Sequence, residues 1–388
     1  MALELSYNIR YLTARKTSSL MTIAGIALVV MVFVATLMLS NGIRETLKGT
    51  GSPLNIIVIR NGAQNEIQSG VKRDDSNALL ADEAIARHPN LTPIVTTDSV
   101  IVASLRKRSD GSPSNVTVRG VTKDALVLRQ GITITSGRLP AFGTREVMVG
   151  SAIYAKFAGT GIGDSLRIGG LDWNVVGIFS AGNSGFSSEV WGDTEVLMPV
   201  FRREQFSSLT FRLTDPAQFE TFKARIENSP RMSVVVRRES EFYESQSKIL
   251  ATFISAIGIT ISIFFSIGAI LGAVITMHSA VASRKHEIGI LRALGFRPFQ
   301  IFRAFASECV AISLIGGIVG TLIASLASFA SISTTNFDTF SDIRFGFTLT
   351  PGVVVSGILF ACLMGLIGSF FPALSAARLK VIDALRSS

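Results

Sequence analysis

Side chains able to do covalent or acid–base chemistry are few and scattered in this 388-residue chain. Its three histidines, His88, His278 and His286, fall outside any HExxH pair, the helical spacing that holds zinc beside a general base. No serine sits in a GxSxG elbow, and no local set supplies the nucleophile, base and orienter that a membrane hydrolase requires. Gly159, Gly161 and Gly163 imitate a phosphate loop, yet no Lys-Ser/Thr pair follows them at P-loop spacing. They read as turn residues between short strands. Cys309 and Cys362 lie in or beside apolar stretches and read as buried, inert thiols. The pattern excludes metal-dependent and nucleophilic catalysis as a first reading.

What remains is a segment suited to binding or mechanical work. SRKHEIGILRALG, from Ser283 to Gly295, places Ile288, Leu291 and Leu294 at helical spacing. Arg284, Lys285, Glu287 and Arg292 keep its other side wet, and His286 reads as a solvated residue. Two readings stay open: a surface helix that receives a push from a soluble partner, or a solvated basic loop of the kind common on the cytoplasmic side.

The elements around this segment are apolar. Nearly half the residues, 48%, are hydrophobic, and four charge-free runs each approach or exceed the roughly 20 residues needed to cross a hydrocarbon core. They lie between Lys16 and Arg44, between Lys248 and Arg284, after Glu308, and between Arg344 and Arg378. The first is too long for a signal peptide's apolar core and lacks an A-x-A site, so it reads as an uncleaved anchor. Basic residues flank the spans on one side: Arg10, Arg15 and Lys16; Arg284, Lys285, Arg292, Arg297 and Arg303; Arg378, Lys380 and Arg386. The positive-inside rule then puts both termini and the Ser283 loop in the cytoplasm and the region from about Arg44 to Lys248 outside. Residues 42–247 carry 24 basic and 22 acidic side chains, a net of +2 within the +9 of the whole chain. Most of the surplus therefore sits in the cytoplasmic flanks, beside anionic membrane lipids, and no nucleic-acid partner is expected.

The external region reads as α+β. LNIIVIR (Leu54–Arg60), IVTTDSVIVASLR, NVTVRGV, SLTFRLT and MSVVVRR read as strands. Asn77–Pro89 reads as a helix, and another opens at Asp215-Pro216 and runs through Phe219, Phe222 and Ile226. Between about Gly137 and Pro199 a glycine-dense stretch reads as a small β-rich insertion. RRESEFYESQSKILATF contains no Gly or Pro, so the second span is expected to begin outside the bilayer as a stalk. Inside the membrane Gly268 and Gly272, and Gly316 and Gly320, recur at four-residue spacing, which suits helix packing or a dimer seam. Glu308 reads as structural or interfacial, and Pro372 is expected to bend or end the fourth helix.

The loop RKHEIGILRALG, the tail FPALSAARLKVIDALR (Phe371–Arg386) and the stretches GRLPAFGTREVMVG and WNVVGIFSAGNSGFSSEVWGD give the chain a resemblance to the MacB/FtsX/LolC-type ABC transporter permeases, most of all to DevC-like members. The resemblance spans nearly the whole chain. It implies a coupling helix formed by Arg284, Lys285, Glu287, Ile288, Leu291, Arg292 and Gly295 against a cytoplasmic ABC ATPase. It also implies a second permease copy and, in MacB-like systems, a periplasmic adaptor and an outer-membrane channel. No Walker A motif occurs here, so ATP and Mg are expected in the partner ATPase, with no cofactor on this chain and no enzymatic activity of its own. An FtsX-like activator of a cell-wall hydrolase and a LolC-like lipoprotein-releasing permease are the alternatives.

The expected fold is a membrane protein with four transmembrane α-helices and a large α+β extracytoplasmic domain, a porter-like subdomain plus a β-rich insertion, between the first and second helices. By residue number this gives a cytoplasmic segment 1–18, helix 19–43, periplasmic domain 44–247 with its insertion at about 137–199, and helix 248–278. There follow a cytoplasmic coupling loop 279–301, helix 302–331, a short external loop 332–349, helix 350–374 and a cytoplasmic tail 375–388. The localisation implied is the inner membrane.

Overall fold

A computed structural model describes residues 16–182, 184–329, 331–335 and 342–379 of the protein. Arg10, Arg15, Lys380 and Arg386, used above for topology, lie outside the described residues.

In chain order α1 (Lys16–Lys48) leads to β1 (Asn55–Arg60), α2 (Arg73–Leu80), β2 (Val95–Arg106) and β3 (Pro113–Val121). Then come α3 (Ala125–Leu128), β4 (Thr133–Gly137), β5 (Glu146–Gly150), α4 (Ser151–Lys156), β6 (Ser165–Ile168), β7 (Leu171–Ser180) and β8 (Glu189–Asp193). After α5 (Thr194–Val200) and β9 (Ser208–Arg212) the chain forms α6 (Phe219–Glu227), β10 (Val234–Arg238), α7 (Glu239–Ser283), α8 (Lys285–Ala293) and α9 (Pro298–Ser325). A hairpin of β11 (Ser331–Thr335) and β12 (Asp342–Gly346) precedes α10 (Pro351–Ala377).

Among the described residues four helices are long and apolar enough to cross a membrane: α1, α7, α9 with the short turn that follows it, and α10. The chain divides into two compact units. The first holds the apolar helices; the second, Gly42–Ala251 with Ser331–Gly346, is the external domain. Within the helical unit glycines let backbones close. A Cβ on Gly320 would collide with the Ala27 backbone of α1, and one on Gly316 would stand 3.1 Å from the Ile26 side chain. Polar groups bridge helices as well, as in the 2.7 Å bond from Ser255 Oγ to Ser40 Oγ.

The external domain is built on one sheet in the order β10-β1-β9-β2-β3-β8-β5-β7-β4, with β6 on β7. Its first half, β1, β2, β9 and β10, packs one face on α6 through Ile56, Val58, Phe211, Phe222 and Val236. Its second half, β5 to β8, closes a separate core around Trp173, Val147, Val149 and Phe157. The parallel pairing of β3 with β8, Val118 opposite Val190, joins the two halves. A third cluster on the other side includes Ile57, Trp191, Phe242 and Tyr243, so the first turns of α7 form part of the domain core.

Three expectations need correction. The helix read over Asn77–Pro89 stops at Leu80: Asp82 Oδ1 accepts from Ala84 N–H, and Ile85 then bridges Leu213 in extended conformation. Pro372 does not end the last helix, which continues to Ala377 with Pro372 buried inside it. Within the segment between the third and fourth spans, expected as a short loop, β11 and β12 pair antiparallel, with Ser331 opposite Gly346. The second membrane helix does start outside the apolar run. It begins at Glu239 and has 45 residues, about 67 Å at 1.5 Å per residue against a hydrocarbon core of about 30 Å.

Candidate functional site

The amphipathic segment forms α8, set off from α7 by a break at Arg284 (φ −111°, ψ 15°). Its end is fixed by Gly295, whose φ of +95° belongs to the left-handed region that glycine enters without penalty. There Phe296 N–H donates to Leu291 O at 3.1 Å and Gly295 N–H to Arg292 O at 3.2 Å, a Schellman closure. Pro298 then starts α9, and Gln300 Oε1 accepts from Arg297 N–H at 2.8 Å.

The residues of this segment separate by what they touch. Ile288 is buried among Met277, Val281, Ile301, Phe305 and Ala373. Arg284, expected on the wet side, is buried. Its Nη1 and Nη2 donate to Glu308 Oε2 and Oε1 at 2.9 and 3.2 Å, with both side chains only 7% exposed. Its guanidinium also lies 5.8 Å from the Phe305 ring centroid. Burial pushes Arg284 inward because Glu308, a carboxylate in an apolar helix, needs a partner. Glu287, Leu291 and Arg292 are half-buried, while Lys285 and Gly295 are exposed. The apolar face read as Ile288, Leu291 and Leu294 does not form one buried stripe. Leu294 is 72% exposed, beside Ile290 at 43% and Phe299 at 70%. The four glycines also divide. Gly316 and Gly320 meet α1 within this chain, whereas a Cβ on Gly268 or Gly272 would meet nothing within 4 Å among the described residues.

A second constellation lies in the external domain, and reading the sequence missed it. Arg119, on β3, donates five hydrogen bonds: to Glu189 Oε2 and Oε1 at 2.7 and 3.0 Å, to Glu66 Oε1 and Oε2 at 2.7 and 2.8 Å, and to Asp98 Oδ2 at 2.9 Å. Arg129 donates to Asp98 Oδ2 at 2.6 Å and Glu239 Oε1 at 3.1 Å. Tyr243 donates to Glu66 at 3.0 Å, Trp191 Nε1–H to Glu189 at 2.6 Å, and Asn55 and Ser52 N–H to Glu239 at 2.7 and 3.1 Å. All six charged residues are buried. Burial opposes ionisation of Glu66, but the Arg119 charge and its hydrogen bonds outweigh that and hold its carboxyl at about 2. Four carboxylates face two arginines, and burial pushes the Glu189 carboxyl up against the pull of Arg119. Glu239 is the first residue of α7 and Ser52 closely follows α1, so one buried network fastens both chain entries to the sheet. One sequence sign of it was Asp98, an acid in the middle of an apolar strand.

Family models match both regions. Residues 19–229 match the MacB-like periplasmic core domain, and residues 259–381 match the FtsX-like permease C-terminal domain. The chain belongs to the MacB/FtsX-type ABC transporter permeases. Among its relatives is the macrolide export ATP-binding/permease protein MacB of Sodalis glossinidius, 27% identical over 98% of this chain and 60% of that protein. Another is the ABC transporter permease YknZ of Bacillus subtilis, 24% identical over 87% of this chain and 92% of that protein. This permease thus spans 60% of the length of that MacB relative. The crystallised periplasmic region of MacB from Actinobacillus actinomycetemcomitans aligns with 52% of this chain and 96% of that one, at 16% identity and a TM-score of 0.37. The permease is a multi-pass inner-membrane protein whose periplasmic domain lies between its first and second apolar helices.

Proposed function

We propose that this permease is the membrane subunit of an ATP-driven exporter that passes motion from a separate ABC ATPase to its periplasmic domain. The supporting observation is the segment of α8 and its exit, between two membrane helices: Ile290 on α8, Leu294 at its C-cap and Phe299 at the start of α9 are exposed while Ile288 and Arg284 are anchored inward. Exposed apolar side chains beside Lys285 and Arg292 suit a protein surface more than water. The ATPase supplies ATP and Mg chemistry; this chain supplies the lever. Both termini and α8 are then cytoplasmic, and Gly268 and Gly272 offer a close-contact face to a second permease copy. A periplasmic adaptor and an outer-membrane channel complete the export path, with amphiphilic compounds of the macrolide kind as cargo by analogy with the MacB relatives.

The test is Leu294→Asp, an exposed position whose change leaves the internal packing alone. In vesicles holding permease and ATPase it should abolish binding and stimulation of the ATPase at normal permease levels. Wild-type stimulation by this variant overturns the assignment. The FtsX-like match over residues 259–381 keeps a second reading in view, an activator of a cell-wall hydrolase. Co-purification separates them: an adaptor and channel support export, and a wall hydrolase supports activation.

A further inference from the structure

We infer that the periplasmic domain carries a receptor site for one oxyanion, a phosphate or carboxylate, in a cavity lined by its own residues. The cavity measures about 180 Å3 and is assembled from four sequence-distant pieces. These are Gly49–Ser52 directly after α1, Leu128–Ile132 after α3, the stretch containing Ala181, Ser184 and Phe186, and Arg212 of β9. Thr50 fastens two of them, since its Oγ1 donates to Thr46 O and accepts from Gly185 N–H, each at 2.8 Å.

The lining contains two arginines and no aspartate or glutamate. Arg212 donates to two neutral acceptors, Asn55 Oδ1 at 2.7 Å and Leu128 O at 2.8 Å. No ion pair neutralises it among the described residues, so its charge is available to a ligand. Arg129 lines the same cavity and is 5% exposed. Its Nε and Nη2 are used by Glu239 and Asp98, while Nη1 is buried without a hydrogen-bond partner among the described residues. An oxyanion in the cavity offers several acceptor oxygens on one centre to the Arg212 guanidinium and neutralises its charge. Asp98 and Glu239, the acids that hold Arg129, do not line the cavity, so an entering anion meets no carboxylate on its walls.

Position along the chain suggests where the oxyanion comes from. Thr50 lies seven residues beyond Ile43, the end of the charge-free run of α1. In sequence this is directly after the first apolar span, where a chain leaves the hydrocarbon core for the headgroup layer. The headgroup of an anionic amphiphile and a free phosphate ion share this chemistry, and the experiment separates them.

Full-length chain in an uncharged detergent is titrated with dioleoylphosphatidylglycerol, with dioleoylglycerol (the same tails without phosphate) and with inorganic phosphate. Native mass spectrometry counts retained lipid, and calorimetry follows phosphate. Preferential retention of the phosphatidylglycerol assigns the headgroup; binding of phosphate without lipid preference assigns the free ion. Gln130→Glu adds a carboxylate at an exposed lining position, and Arg212→Gln removes the available charge. Each should weaken retention by about tenfold, the scale of one charge-assisted hydrogen bond, and Gln130→Glu should do so with an unchanged melting midpoint. Equal retention of the two lipids with no phosphate binding overturns the proposal, as does binding that both variants leave unchanged.

Discussion

The two parts of this permease each bury arginine, and they do so on opposite plans. Arg284 pairs in bidentate fashion with the Glu308 carboxylate, 24 residues along the chain. Arg119 and Arg129 share four carboxylates, drawn from partners 21 to 110 residues away. The Arg284–Glu308 contact ties the N-cap of α8 to α9. A shared network spreads compensation over β2, β3, β8 and the start of α7, so those segments hold together as one body. The first plan suits a joint, the second a rigid block.

The largest loss is expected at Arg119. Arg119→Met leaves Glu66 and Glu189 buried without their main partner and should cost about 3–5 kcal/mol or more. The periplasmic domain should then be digested by protease at temperatures the wild type withstands; wild-type resistance would contradict the shared-network account. Arg284→Ala should cost somewhat less, about 3 kcal/mol, since it takes the arginine from one carboxylate, Glu308, and not from two. Exchange sharpens the contrast. Arg284→Glu with Glu308→Arg should recover much of the melting midpoint, whereas Arg119→Glu with Glu189→Arg should not, because Glu66 and Asp98 would then face a new carboxylate.

Acid gives a third and smaller effect. The Glu66 carboxyl sits at about 2 in the folded domain against an ordinary 4.5. Its contribution is therefore complete above about pH 4.5 and fades as pH falls toward about 2, by roughly 3 kcal/mol in all. Glu189, pushed up, works in the other direction and blunts the net slope. An acid titration of domain unfolding should flatten in Glu66→Gln; an unchanged slope would remove Glu66 from the account. Gly295→Ala should cost about 1 kcal/mol because a side chain at φ +95° is strained, read as faster hydrogen exchange at the end of α8. The smallest effect belongs to the exposed pair of Arg73 and Glu195, 2.8 Å apart. Glu195→Gln should shift stability by less than about 1 kcal/mol, despite bidentate geometry.

The spans, most strands of the periplasmic domain and the stalk-like start of α7 were legible in the sequence because hydrophobic periodicity and charge-free length are local properties. The helix read over Asn77–Pro89 failed where a local side-chain turn at Asp82 and a bridge to Leu213, 128 residues away, override spacing. Within the coupling segment, position and helicity were legible, but the direction of Arg284 was not. Charge pattern places every arginine in water unless its partner is known, and Glu308 stands beyond a loop and a new helix. The network around Arg119 was hidden for the same reason at larger scale. In NVTVRGV the arginine reads as an ordinary polar position, and only the pairing of β3 with β8 brings Glu189 beside it.

The burial of Trp191 against Glu189, and of Trp173 with its indole N–H on Ile168 O at 3.1 Å, has an optical consequence. These are the two tryptophans of the whole chain. Light absorbed at the red edge of the protein spectrum is therefore emitted from the periplasmic domain alone, with the four apolar helices dark. Because one indole touches the charge network directly, an intensity change during ATP turnover would report strain arriving at that network without any attached label.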